Sequence, residues 1–181
     1  MDSFQELVAT VLDREGYWIR REVRVELTPE DKAAIGRPSN ARWQIAIVAY
    51  SGARSELLAV QCKSFLDSPG VRAKAFDSTG STDRDYYKLF NEKTLRDVVL
   101  TRLAWQLVRE GFCPAGVSAQ LALAAGHFYR GDTPAIREKF VQENWKLFDP
   151  TWLREKLQRF DAESYEDSPF ALTVKLLRRK E

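Results

Sequence analysis

The chain is poor in the residues that most often carry acid–base or metal chemistry. It has one histidine, His127, so a Ser–His–Asp triad or a zinc site built on imidazole has almost no material. Its two cysteines, Cys62 and Cys113, supply neither a disulfide framework nor a metal-binding pair, and a reducing cytoplasm is the expected setting. The longest uncharged apolar run, Ala119 to Phe128, is far too short for a bilayer, so no membrane is expected as a partner. The opening residues, Met1 to Glu6, lack the basic start and apolar stretch of a secretory signal, in keeping with a cytoplasmic location. No glycine-rich phosphate loop is present, which argues against ATP use. Nor does one charge dominate: 28 basic residues nearly balance 26 acidic ones, so a face for nucleic acid has to come from local clusters. Arg20, Arg21 and Arg24, the stretch from Arg37 to Arg42, and Arg178-Arg179-Lys180 are such clusters, and each also fits an ordinary solvated face. Internal repeats, low-complexity tracts and domain linkers are missing too.

What is present suffices for a packed core. A chain of 181 residues with 44% hydrophobic and 12% aromatic content holds too much apolar surface to stay in water. One domain over residues 1–181 is expected, with a core over 1–128 and an extension over 129–181 packed on it.

Periodicity outlines the elements. Phe4, Leu7, Val8, Val11 and Leu12 recur at helical spacing, with Asp2 or Ser3 to cap the start and Gly16 to close the end. Tyr17 to Leu27 alternates apolar and charged residues and predicts a strand. Thr28 to Asn40 reads as a loop with a short helical turn at Pro29 to Ala34. Arg42 to Tyr50 and Glu56 to Lys63 read as two strands of a hairpin turning at Ser51-Gly52. A polar loop from Ser64 to Asp85 precedes a long helix, Glu92 to Glu110, stopped by Gly111. Val117 to Ala125 suits a strand buried on both faces. Short helices are expected at Pro134 to Val141 and Pro150 to Phe160, and a last strand at Phe170 to Leu177. The order predicts an α/β fold: a mixed central sheet flanked by helices, with a helical C-terminal extension.

In the first hairpin strand, alternation puts Gln44, Ala46 and Val48 on one face and Ile45, Ile47 and Ala49 on the other. In the second, Leu57, Ala59, Gln61 and Lys63 share a face, so two polar side chains end an otherwise apolar strand. Such residues need partners, water or a function. Lys63 equally fits a plain exit of the strand into solvent.

The runs Trp43-Gln-Ile-Ala-Ile-Val-Ala-Tyr50 and Leu57-Leu-Ala-Val-Gln-Cys-Lys63 together resemble the core of the PD-(D/E)xK nucleases. That family has an Asp in a strand of the form Ile-Asp-Ile-Val, then a strand ending Glu-x-Lys. The first helix resembles the family's opening helix, with Glu6 at the place of an acid found near the metals, and Gly16-Tyr17-Trp18 resembles its helix-to-strand join. The resemblance spans Phe4 to Val71 and continues in element order from Glu92 to Ala125. It implies a restriction-endonuclease-like core and a metal-dependent DNA endonuclease, in which carboxylates hold Mg²⁺ (or Mn²⁺) and a lysine serves the attacking water. Carried over, the catalytic positions are Lys63, Gln61 and Ala46, where Ala46 stands at the place of the Asp. The metal positions are Glu6, Gln61 and Ala46, and Gln44, Arg42 and Arg37 would contact nucleic acid. DNA is the implied partner, and a homodimer would bring two sites to two strands.

The chain departs from the pattern at two places. Ala46 has no ligand atom, and Gln61 carries no charge, although Gln-x-Lys is a known variant in methylation-dependent restriction endonucleases. Loss of the central carboxylate should remove most metal binding and nearly all the rate. The sequence is therefore expected to be an inactive form, through natural degeneration or deliberate substitution. The alternative is a nuclease-fold module that binds nucleic acid or a protein partner without cutting.

Other features admit two readings each. Cys62 is expected on the core side of its strand. Asp67 either reaches the cleft or belongs to a Ser-Pro-Gly turn. Tyr86-Tyr87 beside Arg84 and Lys88 either stack bases or pack at a helix start. Trp145, Phe148, Trp152 and Phe160 read as core of the tail or a subunit contact.

Overall fold

A computed structural model of the chain describes residues 2–36, 42–77, 86–159 and 169–178. The first helix, α1 (Ser3–Arg14), starts where the Asp2 carboxylate accepts from the Gln5 N–H at 2.8 Å. It ends in a Schellman turn: Gly16, at φ +84°, and Tyr17 donate back to the carbonyls of Asp13 and Leu12. Strand β1 (Trp18–Glu26) leads to the short helix α2 (Pro29–Ala34), closed at its start by a reciprocal Thr28–Asp31 capping box. The hairpin strands β2 (Arg42–Ser51) and β3 (Glu56–Lys63) follow. After a 3₁₀ turn at Ala73–Phe76 come α3 (Lys88–Asn91), α4 (Lys93–Arg109) and β4 (Ala119–Ala125). The chain continues through α5 (Thr133–Gln142), β5 (Lys146–Phe148), α6 (Pro150–Arg159) and α7 (Pro169–Arg178).

The sheet is five-stranded and mixed, in the order β1-β2-β3-β4-β5. β1, β2 and β3 form an antiparallel meander, while β4 runs parallel to β3 and β5 parallel to β4. Helices cover both faces, so the central strands read as apolar runs rather than alternations. On one side Val8, Ala9 and Leu12 of α1 and Leu153 of α6 pack on Ile47, Ala49, Leu58, Val60, Ala122 and Ala124. On the other, Leu95, Val99, Leu103 and Leu107 of α4 pack on Val48, Tyr50, Leu57, Ala59 and Leu121. Each of the larger buried side chains here, the valines, leucines and isoleucine, contributes about 1.5–3 kcal/mol relative to exposure. Among the described residues no helix is long and apolar enough to cross a membrane.

Two expectations about the tail are corrected. Phe170 to Leu177 is not a strand but lies in α7, with Pro169 in the first turn. Phe170, Val174 and Leu177 also recur at helical spacing, and in so short a run both periods fit. Residues 129–181 are not a purely helical extension either, because β5 joins the central sheet. A three-residue strand is too short to show period-two alternation. Trp145 is buried against Phe90 and Phe140, with ring centres 5.0 and 5.4 Å away, and Phe148 lies in the opposite core layer, against Trp152. Phe160 lies outside the described residues.

The hairpin faces are also corrected. Ile47 and Ala49 pack on the α1 side as expected, yet Ile45 packs on the α4 side with Val48 and Tyr50. In β1 likewise Ile19 belongs to the α1 side, whereas Val23 and Val25 belong to the α4 side. The reversal falls at Glu22, whose φ of +52° is left-handed. One such residue turns the strand over, so the outer ends of β1 and β2 curl across α4.

Candidate functional site

The reversal of faces opens a cleft at the C-terminal end of β3, where ligand sites of α/β sheets commonly lie. Its volume is about 350 Å³, and its lining includes Gln44 and Ala46 from β2 and Gln61, Cys62 and Lys63 from β3. The ladder between these strands runs to Ile47 opposite Val60, and one step further the register sets Ala46 opposite Gln61. On the other flank β1 and β2 keep one register from Arg21–Ile47 to Val23–Ile45, which sets Glu22 across from Ala46. Asp2 and Gln5 at the start of α1 complete the rim.

The structure thus brings Gln44, Ala46, Gln61 and Lys63 into one cleft. It places Glu6 elsewhere. Glu6 does not line the cleft; its carboxylate accepts from the Arg21 side chain at 3.3 Å, with both groups partly exposed. Arg42 opens β2 opposite Glu26, and Arg37 lies outside the described residues. Three rim residues escaped sequence reasoning. Asp2 was legible as a helix cap but not as a cleft residue. Gln5 and Glu22 carried no signal, since a left-handed φ at a glutamate has no sequence signature.

Electrostatics single out Lys63. Burial holds its ammonium below the ordinary lysine value, against the opposing pull of Cys62 and Asp2. Its Nζ lies 5.3 Å from the ring centre of Tyr86 and 5.4 Å from that of Tyr87, within cation–π range. Lys63 therefore does not exit into bulk solvent; it is a half-buried cation between the cleft and two aromatic rings. Cys62, at the α1 side of the cleft, packs on the α1-side core, and burial, with help from Asp2, pushes its thiol up to about 12. Such a thiol is inert at neutral pH.

Other candidates resolve structurally. Tyr87 is buried edge-on to Phe76 with ring centres 5.1 Å apart, whereas Tyr86 is exposed. Asp67 is exposed on the loop after β3 and does not line the cleft, and His127 is exposed. That loop is fixed to the chain following β4: Gly126 donates to the Lys63 carbonyl at 2.9 Å, and Val71 to that of His127 at 3.0 Å. The approach is close enough to require glycine. A Cβ on Gly126 would stand 2.4 Å from the Ser64 carbonyl oxygen.

The donor set does not fit a divalent metal ion as it stands. Mg²⁺ takes hard oxygen ligands, chiefly carboxylates and water. Ala46 offers none, Gln61 offers one neutral carbonyl, Glu6 is turned to Arg21, and the acids present are the rim residues Glu22 and Asp2, the latter already accepting from the Gln5 N–H. Among the described residues no group of three or more His, Cys, Asp or Glu side chains is placed to hold a metal.

The chain matches no family model. Neither curated proteins nor solved structures provide a match. The functional reading rests on the cleft itself: a partly desolvated cation, three amide side chains (Gln5, Gln44 and Gln61), two rim carboxylates (Asp2 and Glu22) and the small Ala46 position. Such an arrangement can attract and orient an anionic oxygen, but it lacks the charge to activate water.

Proposed function

We propose that this chain is a restriction-endonuclease-like protein whose cleft engages the phosphodiester backbone of DNA, in a form disabled for cutting at position 46. The observation that supports it most is the convergence of Ala46, Gln61 and Lys63 in one cleft, on adjoining strands that follow a helix. This is the arrangement the resemblance to PD-(D/E)xK nucleases implies, with an alanine where the central acid would stand. In such an enzyme an acid at 46 and an oxygen at 61 would hold Mg²⁺ or Mn²⁺, which would supply charge stabilisation at the phosphate. With the residues present, Lys63 is left to meet the phosphate as a point charge.

Gln61 favours a second reading. With both acid positions neutral, the same cleft suits a module that binds nucleic acid, or a protein partner, without cutting.

The reading is tested by the salt dependence of DNA binding, followed by anisotropy of a labelled oligonucleotide for the chain and for Lys63→Met. Loss of one phosphate contact should lower the slope of log K against log salt by about 1 and weaken binding at every sequence alike. Binding unchanged by the substitution, or no binding at low salt, contradicts it.

A further inference from the structure

Lys63 belongs to more than the Ala46 cleft. It also lines a larger pocket of about 560 Å³, within the range that holds small ligands. Its described lining carries three cations, Lys63, Arg72 and Lys74, and no acidic side chain. One wall is Tyr86, a ring 68% exposed and with its cation already in place, since Lys63 Nζ lies 5.3 Å from its centre. Behind it Tyr87 is held by Phe76, and Arg72 is held over the Tyr129 ring at 4.5 Å, so these groups are positioned before any ligand arrives. The facing wall is rigid as well. Gly70, at φ +93°, lies so close to the chain after β4 that a Cβ there would stand 2.6 Å from the carbonyl carbon of Phe128.

An exposed aromatic face ringed by cations matches one kind of ligand, a planar π-system carrying an anion. An intact duplex hides its base faces in the stack and presents phosphates and base edges, neither of which stacks on a ring. We propose that the pocket receives an unpaired nucleotide, its base stacked on Tyr86 and its phosphate between Arg72 and Lys74, while the adjoining backbone crosses Lys63 into the Ala46 cleft. The proposal rests on the nucleic-acid reading above and narrows it: the preferred DNA is single-stranded, or carries an unpaired base beside the cleft.

The test compares anisotropy of a labelled oligo-dT strand with that of a blunt, fully paired hairpin of equal length, using the full chain, Tyr86→Ala and Tyr86→Phe. Because Tyr86 is exposed, truncation leaves the core intact, which circular dichroism verifies. The single strand should bind roughly tenfold more tightly than the hairpin. Tyr86→Ala should weaken single-strand binding roughly fivefold or more, Tyr86→Phe should restore it, and the hairpin should respond to neither. Equal affinity for the two DNAs, or a silent Tyr86→Ala, overturns the pocket while leaving backbone binding by Lys63 intact. Binding of neither DNA overturns both.

Discussion

At Lys63 the fold sacrifices hydration of a cation, and the consequence is measurable. The folded state holds this proton less tightly than the unfolded chain, so stability rises with pH from the lowered value up to the ordinary lysine value of about 10.4. Below both values the penalty is constant. Lys63→Met should therefore raise the melting temperature at pH 7 while DNA affinity falls; a lower melting temperature would show that the ammonium has better partners than the structure gives it. Gly126 is the converse case, a residue whose missing side chain matters. Gly126→Ala would press a methyl group onto the Ser64 carbonyl and should cost about 1–3 kcal/mol in urea unfolding. An unchanged midpoint would mean that the loop after β3 is free to move away.

At the scale of elements, α4 and β1 are joined by one buried amide. Gln106 accepts from the Glu26 N–H at 3.0 Å and donates to the Arg24 carbonyl at 3.2 Å, so the helix closes the open edge of the sheet as another strand would. Gln106→Leu keeps the bulk but leaves both backbone groups unsatisfied, and urea unfolding should show a loss of about 1–3 kcal/mol. The far ends of β1, β3 and β5 meet in a second polar knot, where the Glu56 carboxylate accepts from Tyr17 and from Lys146. Burial works to raise the Glu56 value, but Tyr17, Lys146 and Arg54 outweigh it and hold the carboxyl below the ordinary one. Its stabilising part is therefore complete above about pH 4.3 and is lost as pH falls toward and through the lowered value. Unfolding free energies measured across that acid range should fall less steeply for Glu56→Gln; parallel curves would contradict this. Gln106 was legible as part of a helical stripe, and Glu56 as the start of a strand. Their partners were not, because contacts between 39 and 90 residues apart leave no local period.

For the whole molecule, the long elements could be read because each repeats its period several times. β5 has three residues, and α7 is equally consistent with two periods, so neither could be read reliably. The site was legible where it follows strand alternation within β3, which sets Gln61 beside Lys63. It was hidden where the chain breaks that alternation, at the left-handed Glu22, and where the start of α1, Asp2 and Gln5, rather than Glu6 lines the rim. The central claim remains that Ala46 marks the gap in a phosphodiester site. Ala46→Asp, incubated in Mg²⁺ or Mn²⁺ with supercoiled plasmid and with single-stranded circular DNA, tests it most directly. The account predicts metal-dependent cleavage that disappears again in Ala46→Asp combined with Lys63→Met. A folded Ala46→Asp protein that binds DNA and leaves both substrates uncut would contradict it.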